Sequence, residues 1–229
     1  MTTDSFAISG FGENGWLARI PGDDPVAAAL FANAAADRLR PSNGVIDCVA
    51  GVDSLVLRFD PSALSSADAK ALLAGAIAET PAAVKRAATT IDIPLLYGGE
   101  AGPDFDDLCE RLSLTPEQLV ERHSSQTYCV LTIGFAPGFA YLGPLPEALR
   151  APRLDTPRPR VEAGSVAVAG AMTGVYPLAS PGGWRIIGRT PKQLFDPKAR
   201  DPFAFTPGAE VRFTPISAQA FDAMARGGS

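Results

Sequence analysis

The sequence predicts an α+β protein in two parts, a small α+β amino-terminal domain over residues 1–90 and a β-barrel domain over residues 91–229. Up to about residue 80, β-branched stretches and helix-forming stretches follow one another as ββα, then ββα. That order is typical of helices packed on one face of an antiparallel sheet. Beyond residue 90, short apolar runs alternate with dense Gly and Pro turns, which favours a closed or sandwiched β structure.

The amino-terminal elements are predicted from local signals. Asp24 and Pro25 mark a helix start, because aspartate can accept hydrogen bonds from the first N–H groups and proline lacks an N–H at a position where none is needed. In order, we expect extended pieces at 6–9 and 16–20, a helix from Pro25 up to Pro41, paired strands in VIDCVAG and SLVLRFD, and an Ala-rich helix at about 66–79.

The second part begins with an extended piece, IDIPLLY, and two short helices at 106–112 and 116–123. The second helix is well signalled, since Thr115, Pro116 and Gln118 form a capping box. Four further strands are expected in TYCVLTIG, SVAVAGA, WRIIG and EVRFTPI, and a last amphipathic helix, AQAFDAMAR, is expected to cover one barrel opening.

Composition excludes several classes of function. The formal net charge is −5 with scattered acids, so no basic stripe is available to neutralise nucleic-acid phosphates. Three cysteines at no metal-like spacing predict buried, reduced thiols and no zinc site. No apolar run approaches the roughly 20 residues of a membrane span, and an acid stands near the first residue where a secretion signal would place positive charge. We expect a cytoplasmic protein that binds no metal, membrane or nucleic acid.

Three segments combine glycine, aromatic and arginine residues, and each has two interpretations. GFAPGFAYLGP at 134–144 could cradle a small planar or anionic group, or it could be a barrel corner packed by aromatic rings. Arg153, Arg158 and Arg160 lie among prolines that should prevent strand formation. They predict a stiff, exposed basic loop that either orients an acidic substrate or forms a solvated linker or interface rim. YPLASPGGWRIIGRTP at 176–191 joins a flexible turn to the planar aromatic Trp184 and the cation Arg189, or it is simply a turn followed by a strand.

His123 is the single histidine and ends the second short helix. It could exchange protons near neutral pH, or it could simply stabilise the helix dipole. No G-x-S-x-G nucleophile elbow occurs, and a thiol mechanism would need Cys109 or Cys129 beside His123. No G-x-x-x-x-G-K-[ST] loop marks an ATP site.

Six segments form a long and ordered series of motifs: IPLLYGGEAGPD at 93–104, ERHSSQTYCV at 121–130, GFAPGFAYLG at 134–143, PRLDTPRPRVEAGSVAVAG at 152–170, TGVYPLASPGGWRIIGRTP at 173–191 and LFDP at 194–197. Together they resemble the family of 5-oxoprolinase B-type subunits over nearly the whole chain. That family also includes proteins described as allophanate hydrolase subunit 1 and as KipI-type inhibitors of histidine kinases, and it is similar to half of the carboxyltransferase domain of urea carboxylase.

The resemblance implies a cyclophilin-like β-barrel as the second domain and one component of an ATP-dependent 5-oxoprolinase that opens the lactam of 5-oxoproline to glutamate. It implies a C-type carboxyltransferase subunit as partner and a third 5-oxoprolinase subunit, with ATP used by the complex at a site outside this chain. The alternatives are a KipI-type kinase inhibitor and an allophanate hydrolase or urea carboxylase-like carboxyltransferase component. Carried over by motif, the catalytic candidates are His123, Arg158 and Arg189, and the substrate-binding candidates are Pro137, Gly138, Phe139, Tyr141, Ser180, Gly182 and Gly183.

Overall fold

The computed structural model describes residues 6–84 and 89–227. Contacts group the chain into two compact units, Met1–Arg86 and Ala87–Ser229, here called the amino-terminal unit and the barrel unit. Each unit has its own hydrophobic core. Within the described residues, no helix has the length and apolar character that crossing a membrane requires.

The amino-terminal unit is a four-stranded antiparallel sheet in the order β1-β2-β4-β3 with two helices on one face. Alternate residues of β4, among them Leu55, Leu57 and Phe59, are buried against the helices. The Asp24 carboxylate accepts hydrogen bonds from the N–H groups of Val26 and Ala27, as the sequence predicts. The elements are β1 Ala7–Gly10, β2 Gly15–Arg19, α1 Pro25–Leu39, β3 Val45–Ala50, β4 Ser54–Phe59 and α2 Ser66–Glu79.

The barrel unit contains a closed barrel of seven strands in the order β10-β7-β6-β13-β5-β12-β9. Neighbouring strands are antiparallel except β5 and β13, which run parallel. The predicted α+β class with a carboxy-terminal β-barrel is therefore confirmed. The barrel strands are β5 Thr90–Tyr97, β6 Thr127–Ile133, β7 Ala140–Gly143, β9 Ser165–Ala169, β10 Met172–Val175, β12 Arg185–Arg189 and β13 Glu210–Pro215.

In the described part of the barrel unit, three α-helices accompany the barrel: α3 Phe105–Leu112, α4 Pro116–Ser124 and α5 Ala218–Gly227. The predicted capping box of α4 is present, because Gln118 N donates to Thr115 Oγ1 at 3.3 Å and Thr115 N donates to Gln118 Oε1 at 2.9 Å. α5 contacts β5 without burying any of its residues. The thiols of Cys48, Cys109 and Cys129 are buried, as predicted.

The prediction of an exposed loop over the proline- and arginine-rich segment is wrong at Arg158–Val161, which forms strand β8. β8 pairs with β11, Ser180–Gly182, in a separate antiparallel ribbon. Each of these strands contains one proline, Pro159 and Pro181. A two-stranded ribbon tolerates proline because each strand has one edge on which no N–H group is required to pair.

Candidate functional site

All three glycine-aromatic-arginine segments meet at one open cleft of about 290 Å³ on the barrel unit, here called the aromatic cleft. Phe139 lies at the centre of its wall, with its ring centroid 4.9 Å from that of Tyr141, 5.0 Å from Tyr176 and 5.7 Å from Trp184. All three contacts are edge-to-face, the arrangement that aromatic quadrupoles favour. The lining residues are Phe135, Phe139, Tyr141, Arg153, Pro157, Tyr176, Pro181, Gly182, Gly183 and Trp184.

The lip of the aromatic cleft is a strained turn that exposes Phe135. This residue has φ +68, and Ala136 N donates to Gly134 O at 2.8 Å across it. A three-residue turn with positive central φ is rare and costs about 1–3 kcal/mol at a non-glycine residue. The Phe135 ring is 64% exposed, and its edge-to-face partners are Phe139 and Tyr176. The strained backbone therefore places an aromatic ring in solvent at the entrance.

Two tyrosine hydroxyls contribute polar groups to the cleft. Burial raises the pKa of Tyr141 above its usual value, and the positive charge of Arg153 opposes this effect. The pKa of Tyr176 is also raised, again chiefly by burial, while a backbone hydrogen bond at Trp184 acts in the opposite direction. Both hydroxyls are therefore neutral near pH 7 and can donate a hydrogen bond to a ligand oxygen.

Gly182 fits the cleft because it has no side chain. A Cβ at this position would collide with the Tyr176 hydroxyl oxygen and lie 2.9 Å from the Tyr176 ring, whereas the nearest atom to a Cβ at Gly183 would belong to Pro157, at 3.5 Å. An added side chain would therefore clash at Gly182 and make ordinary van der Waals contact at Gly183.

We expect Gly182→Ala to lower the free energy of unfolding of the barrel unit by about 1–3 kcal/mol, because the Tyr176 ring must move out of a packed wall. Gly183→Ala is the matched control, and we expect it to stay within about 0.5 kcal/mol of wild type. Urea unfolding followed by tryptophan fluorescence measures both. Equal losses in the two variants would contradict the proposed fit of Tyr176 on Gly182.

Arg158 lies outside the aromatic cleft and is engaged by a carboxylate. Its guanidinium donates to both oxygens of Asp104, at 2.9 and 2.6 Å. Asp104 Oδ2 also accepts from Ile186 N at 2.7 Å. Arg158 therefore links β8 to the start of α3 and to β12.

Arg189 also lies away from the aromatic cleft. Its Nε donates to Ala163 O at 2.9 Å, and it lines a second cavity of about 540 Å³ together with Glu100 and Asp222. Neither Arg158 nor Arg189 lines the aromatic cleft, although Arg158 pairs across the β8–β11 ribbon with the cleft residue Gly182 and its positive charge opposes the rise in the pKa of Tyr176.

His123 is fully buried in the barrel core. Its Nδ1 lies 2.7 Å from the Tyr97 hydroxyl, and its Nε2 lies 3.0 Å from Thr173 Oγ1. Because Thr173 Oγ1 donates to Ala167 O at 3.1 Å, it accepts from His123 Nε2–H, and Tyr97 then donates to Nδ1. Burial lowers the pKa of His123 to about 3. The ring is therefore neutral, both nitrogens are used, and the geometry gives no support to the predicted proton relay.

The remaining predicted residues are divided between the cleft and its surroundings. Phe139, Tyr141, Gly182 and Gly183 line the aromatic cleft. Pro137 is exposed at the lip, and Gly138 is buried near Phe195 and Phe203. The Ser180 hydroxyl is buried in β11 with no hydrogen-bond partner among the described residues.

The site residues selected from the family motifs do not include six of the residues that line the aromatic cleft. Phe135, Arg153 and Trp184 stand in the three segments singled out by composition, but the motif comparison did not select them. For Tyr176, Pro157 and Pro181 the one signal is position within the same segments. The missed residues are Phe135, Arg153, Pro157, Tyr176, Pro181 and Trp184. Over the described part of the chain, no three His, Cys, Asp or Glu side chains are grouped so that they could hold a metal ion.

Comparison with known proteins places the chain in a family. The family model for the carboxyltransferase domain, subdomain C and D, matches residues 6–205. The B-type subunit of the 5-oxoprolinase of Bacillus subtilis is 34% identical over 233 residues, which is 96% of this chain and 97% of that protein.

Two solved structures are similar in fold. TTHA0988 has a TM-score of 0.77 and 37% identity, and the match covers 89% of this chain and 40% of TTHA0988. The K. lactis urea amidolyase has a TM-score of 0.79 at 18% identity, with 96% of this chain and 15% of that chain covered. This chain thus spans less than half the length of either protein. The resemblance predicted from the motifs is confirmed: the chain belongs to the carboxyltransferase domain, subdomain C and D, family and, within it, to the group of 5-oxoprolinase B-type subunits.

Proposed function

We propose that this chain is the substrate-binding part of an ATP-dependent 5-oxoprolinase, which opens the lactam of 5-oxoproline to glutamate. The observation that carries the proposal is the end-to-end similarity to the B-type subunit of the Bacillus subtilis 5-oxoprolinase. Its partners are a C-type carboxyltransferase subunit and a third subunit, and the complex is cytoplasmic.

The aromatic cleft has the chemistry that a small cyclic amide requires. Its aromatic faces suit a flat ring, its tyrosine hydroxyls can donate to an amide oxygen, and Arg153 supplies positive charge. The cleft is open to solvent, so another subunit can complete it. Because the sequence carries no phosphate-binding glycine loop, the ATP site belongs to another chain of the complex.

The three predicted catalytic residues have structural roles in this proposal. Arg158 is held by Asp104, Arg189 by the Ala163 carbonyl, and His123 by two hydroxyls in the core. They support the barrel that presents the cleft, and the groups that break the lactam come from the partner chains.

The test is reconstitution of the complex with and without this chain. We expect omission of the chain to reduce both 5-oxoproline-dependent ATP hydrolysis and glutamate formation to background. Heat-denatured chain added at the same concentration is the control. Undiminished turnover in the absence of the chain overturns the proposal.

A carboxyltransferase acting on urea is the second candidate, and the match of residues 6–205 to the carboxyltransferase-domain family model favours it. The urea amidolyase has the same fold. At 18% identity that likeness concerns fold alone. This candidate requires a biotin-carrying partner, so purification of the assembled complex followed by a streptavidin blot discriminates it from the first. The KipI-type alternative stays a prediction, and a kinase autophosphorylation assay with micromolar chain tests it.

A further inference from the structure

We propose that Arg153 binds the carboxylate of the substrate, so that this chain alone forms the acid-recognising side of the site. The inference rests on the proposed function and deepens it. It assigns substrate recognition to an arginine that the motif comparison did not select, in place of Arg158 and Arg189.

The neighbouring arginines are already bound to carboxylates of the same unit. Arg158 is bound to Asp104, Arg185 to Asp107, and Arg160 to Glu162. Arg189 lines a different cavity. Arg153 lines the aromatic cleft and makes no ion pair or side-chain hydrogen bond within residues 6–84 and 89–227. Its guanidinium donors are therefore available to an anion.

Hydrogen bonds hold the backbone on both sides of Arg153 in place. Arg185 Nε donates to Pro152 O at 3.1 Å, and Leu154 N donates to Gly183 O at 2.7 Å. The Arg153 guanidinium itself lies 5.9 Å from the Trp184 ring centroid, within the range of a cation–π contact. The held backbone and the contact with Trp184 restrict the arginine before a ligand binds, which lowers the entropic cost of binding.

The aromatic cleft matches a small cyclic acid in size and in chemistry. At about 290 Å³, the cleft lies at the lower end of the range of roughly 300–1,000 Å³ found for small-molecule sites. A guanidinium can bind a carboxylate through two parallel hydrogen bonds. With the ring against the aromatic wall and the carboxylate on Arg153, the amide oxygen of the ligand can accept from a tyrosine hydroxyl.

The test compares two ligands on the assembled complex without ATP: L-5-oxoproline and 2-pyrrolidinone, the same ring without the carboxylate. Calorimetry or saturation-transfer NMR measures the affinities. We expect Arg153→Gln to weaken 5-oxoproline binding about 10- to 100-fold, since a charge-assisted hydrogen bond is lost, and to leave 2-pyrrolidinone binding unchanged. Arg160→Gln is the matched control, because Arg160 is exposed and outside the cleft, and we expect wild-type affinity.

The outcomes separate the inference from the proposed function. Wild-type affinity in the Arg153→Gln complex, together with normal turnover by the wild-type complex, overturns the role of Arg153 and leaves the proposed function standing. Equal weakening of both ligands also overturns it, because the carboxylate is then not what Arg153 recognises. A wild-type complex that neither binds nor turns over 5-oxoproline overturns both. Circular dichroism and urea unfolding of Arg153→Gln verify that the variant is folded.

Discussion

Replacing Arg158 by Met should lower the free energy of unfolding of the barrel unit by about 3 kcal/mol. The side chain of Asp104 is 9% exposed and that of Arg158 is 29% exposed, so the pair is largely removed from water. Without the guanidinium, the N–H of Ile186 is the one partner that the Asp104 carboxylate keeps among residues 6–84 and 89–227. Removing one partner of a buried ion pair costs about 3–5 kcal/mol because the other charge is left uncompensated. Since Arg158 is partly exposed, we expect a loss at the lower end of that range.

The matched control is Arg160→Met, which removes an exposed ion pair with Glu162 and should cost less than about 1 kcal/mol. Urea unfolding in a Trp16→Phe background makes Trp184 the remaining tryptophan, so that fluorescence reports on the barrel unit alone. The double variant Asp104→Asn/Arg158→Met should recover part of the loss, because no unpaired charge remains. Equal losses for Arg158→Met and Arg160→Met would show that the Asp104 pair is not a buried support.

The second large effect is a loss of stability on acidification caused by His123. Because the pKa is about 3 in the folded barrel and about 6.5 in an unfolded chain, the unfolded state binds more protons than the folded state between these values. The contribution of His123 to stability is therefore fully present above about pH 6.5 and is lost as the pH drops towards about 3. Linkage gives a loss of about 2 kcal/mol between about pH 7.5 and pH 5.

His123→Gln isolates this contribution, since glutamine cannot be protonated and His123 is the one histidine of the chain. The difference in unfolding free energy between wild type and variant should shrink by about 2 kcal/mol from about pH 7.5 to pH 5, as measured by urea unfolding at each pH. Parallel pH profiles for the two proteins would mean that His123 is accessible to protons in the folded state.

Local sequence signals were sufficient to predict the helices that have strong capping residues and the strands that contain β-branched runs. α1 and α4 begin at Pro25 and Pro116, as their capping residues predict. Strands β8 and β11 were missed because proline and glycine within them argue against strand formation, whereas the pairing of the two strands across the ribbon involves residues about 20 positions apart. β7 and β10 were missed because their short, Gly-containing segments show no alternation of polar and apolar residues.

The candidate site could be predicted as three segments but not as an assembled cleft. The sequence does not show which arginines are held by carboxylates, because the partners lie far along the chain. Asp104 is 54 residues from Arg158, and Asp107 is 78 residues from Arg185. His123 illustrates the same limit. Its place at a helix end indicated an accessible side chain, whereas the strands that carry Thr173 and Phe213 enclose it.

The position of β13 has a consequence for biosynthesis. Residues 210–215 lie between β5 and β6, in parallel register with residues 90–95. While the ribosome is still translating the region before residue 210, the unit exposes two strand edges whose N–H and C=O groups lack neighbours, along with the apolar surface that Val211 and Phe213 later cover. A nascent chain stalled at that stage should bind chaperones, and a polypeptide truncated before residue 210 should aggregate rather than accumulate as a partly active fragment.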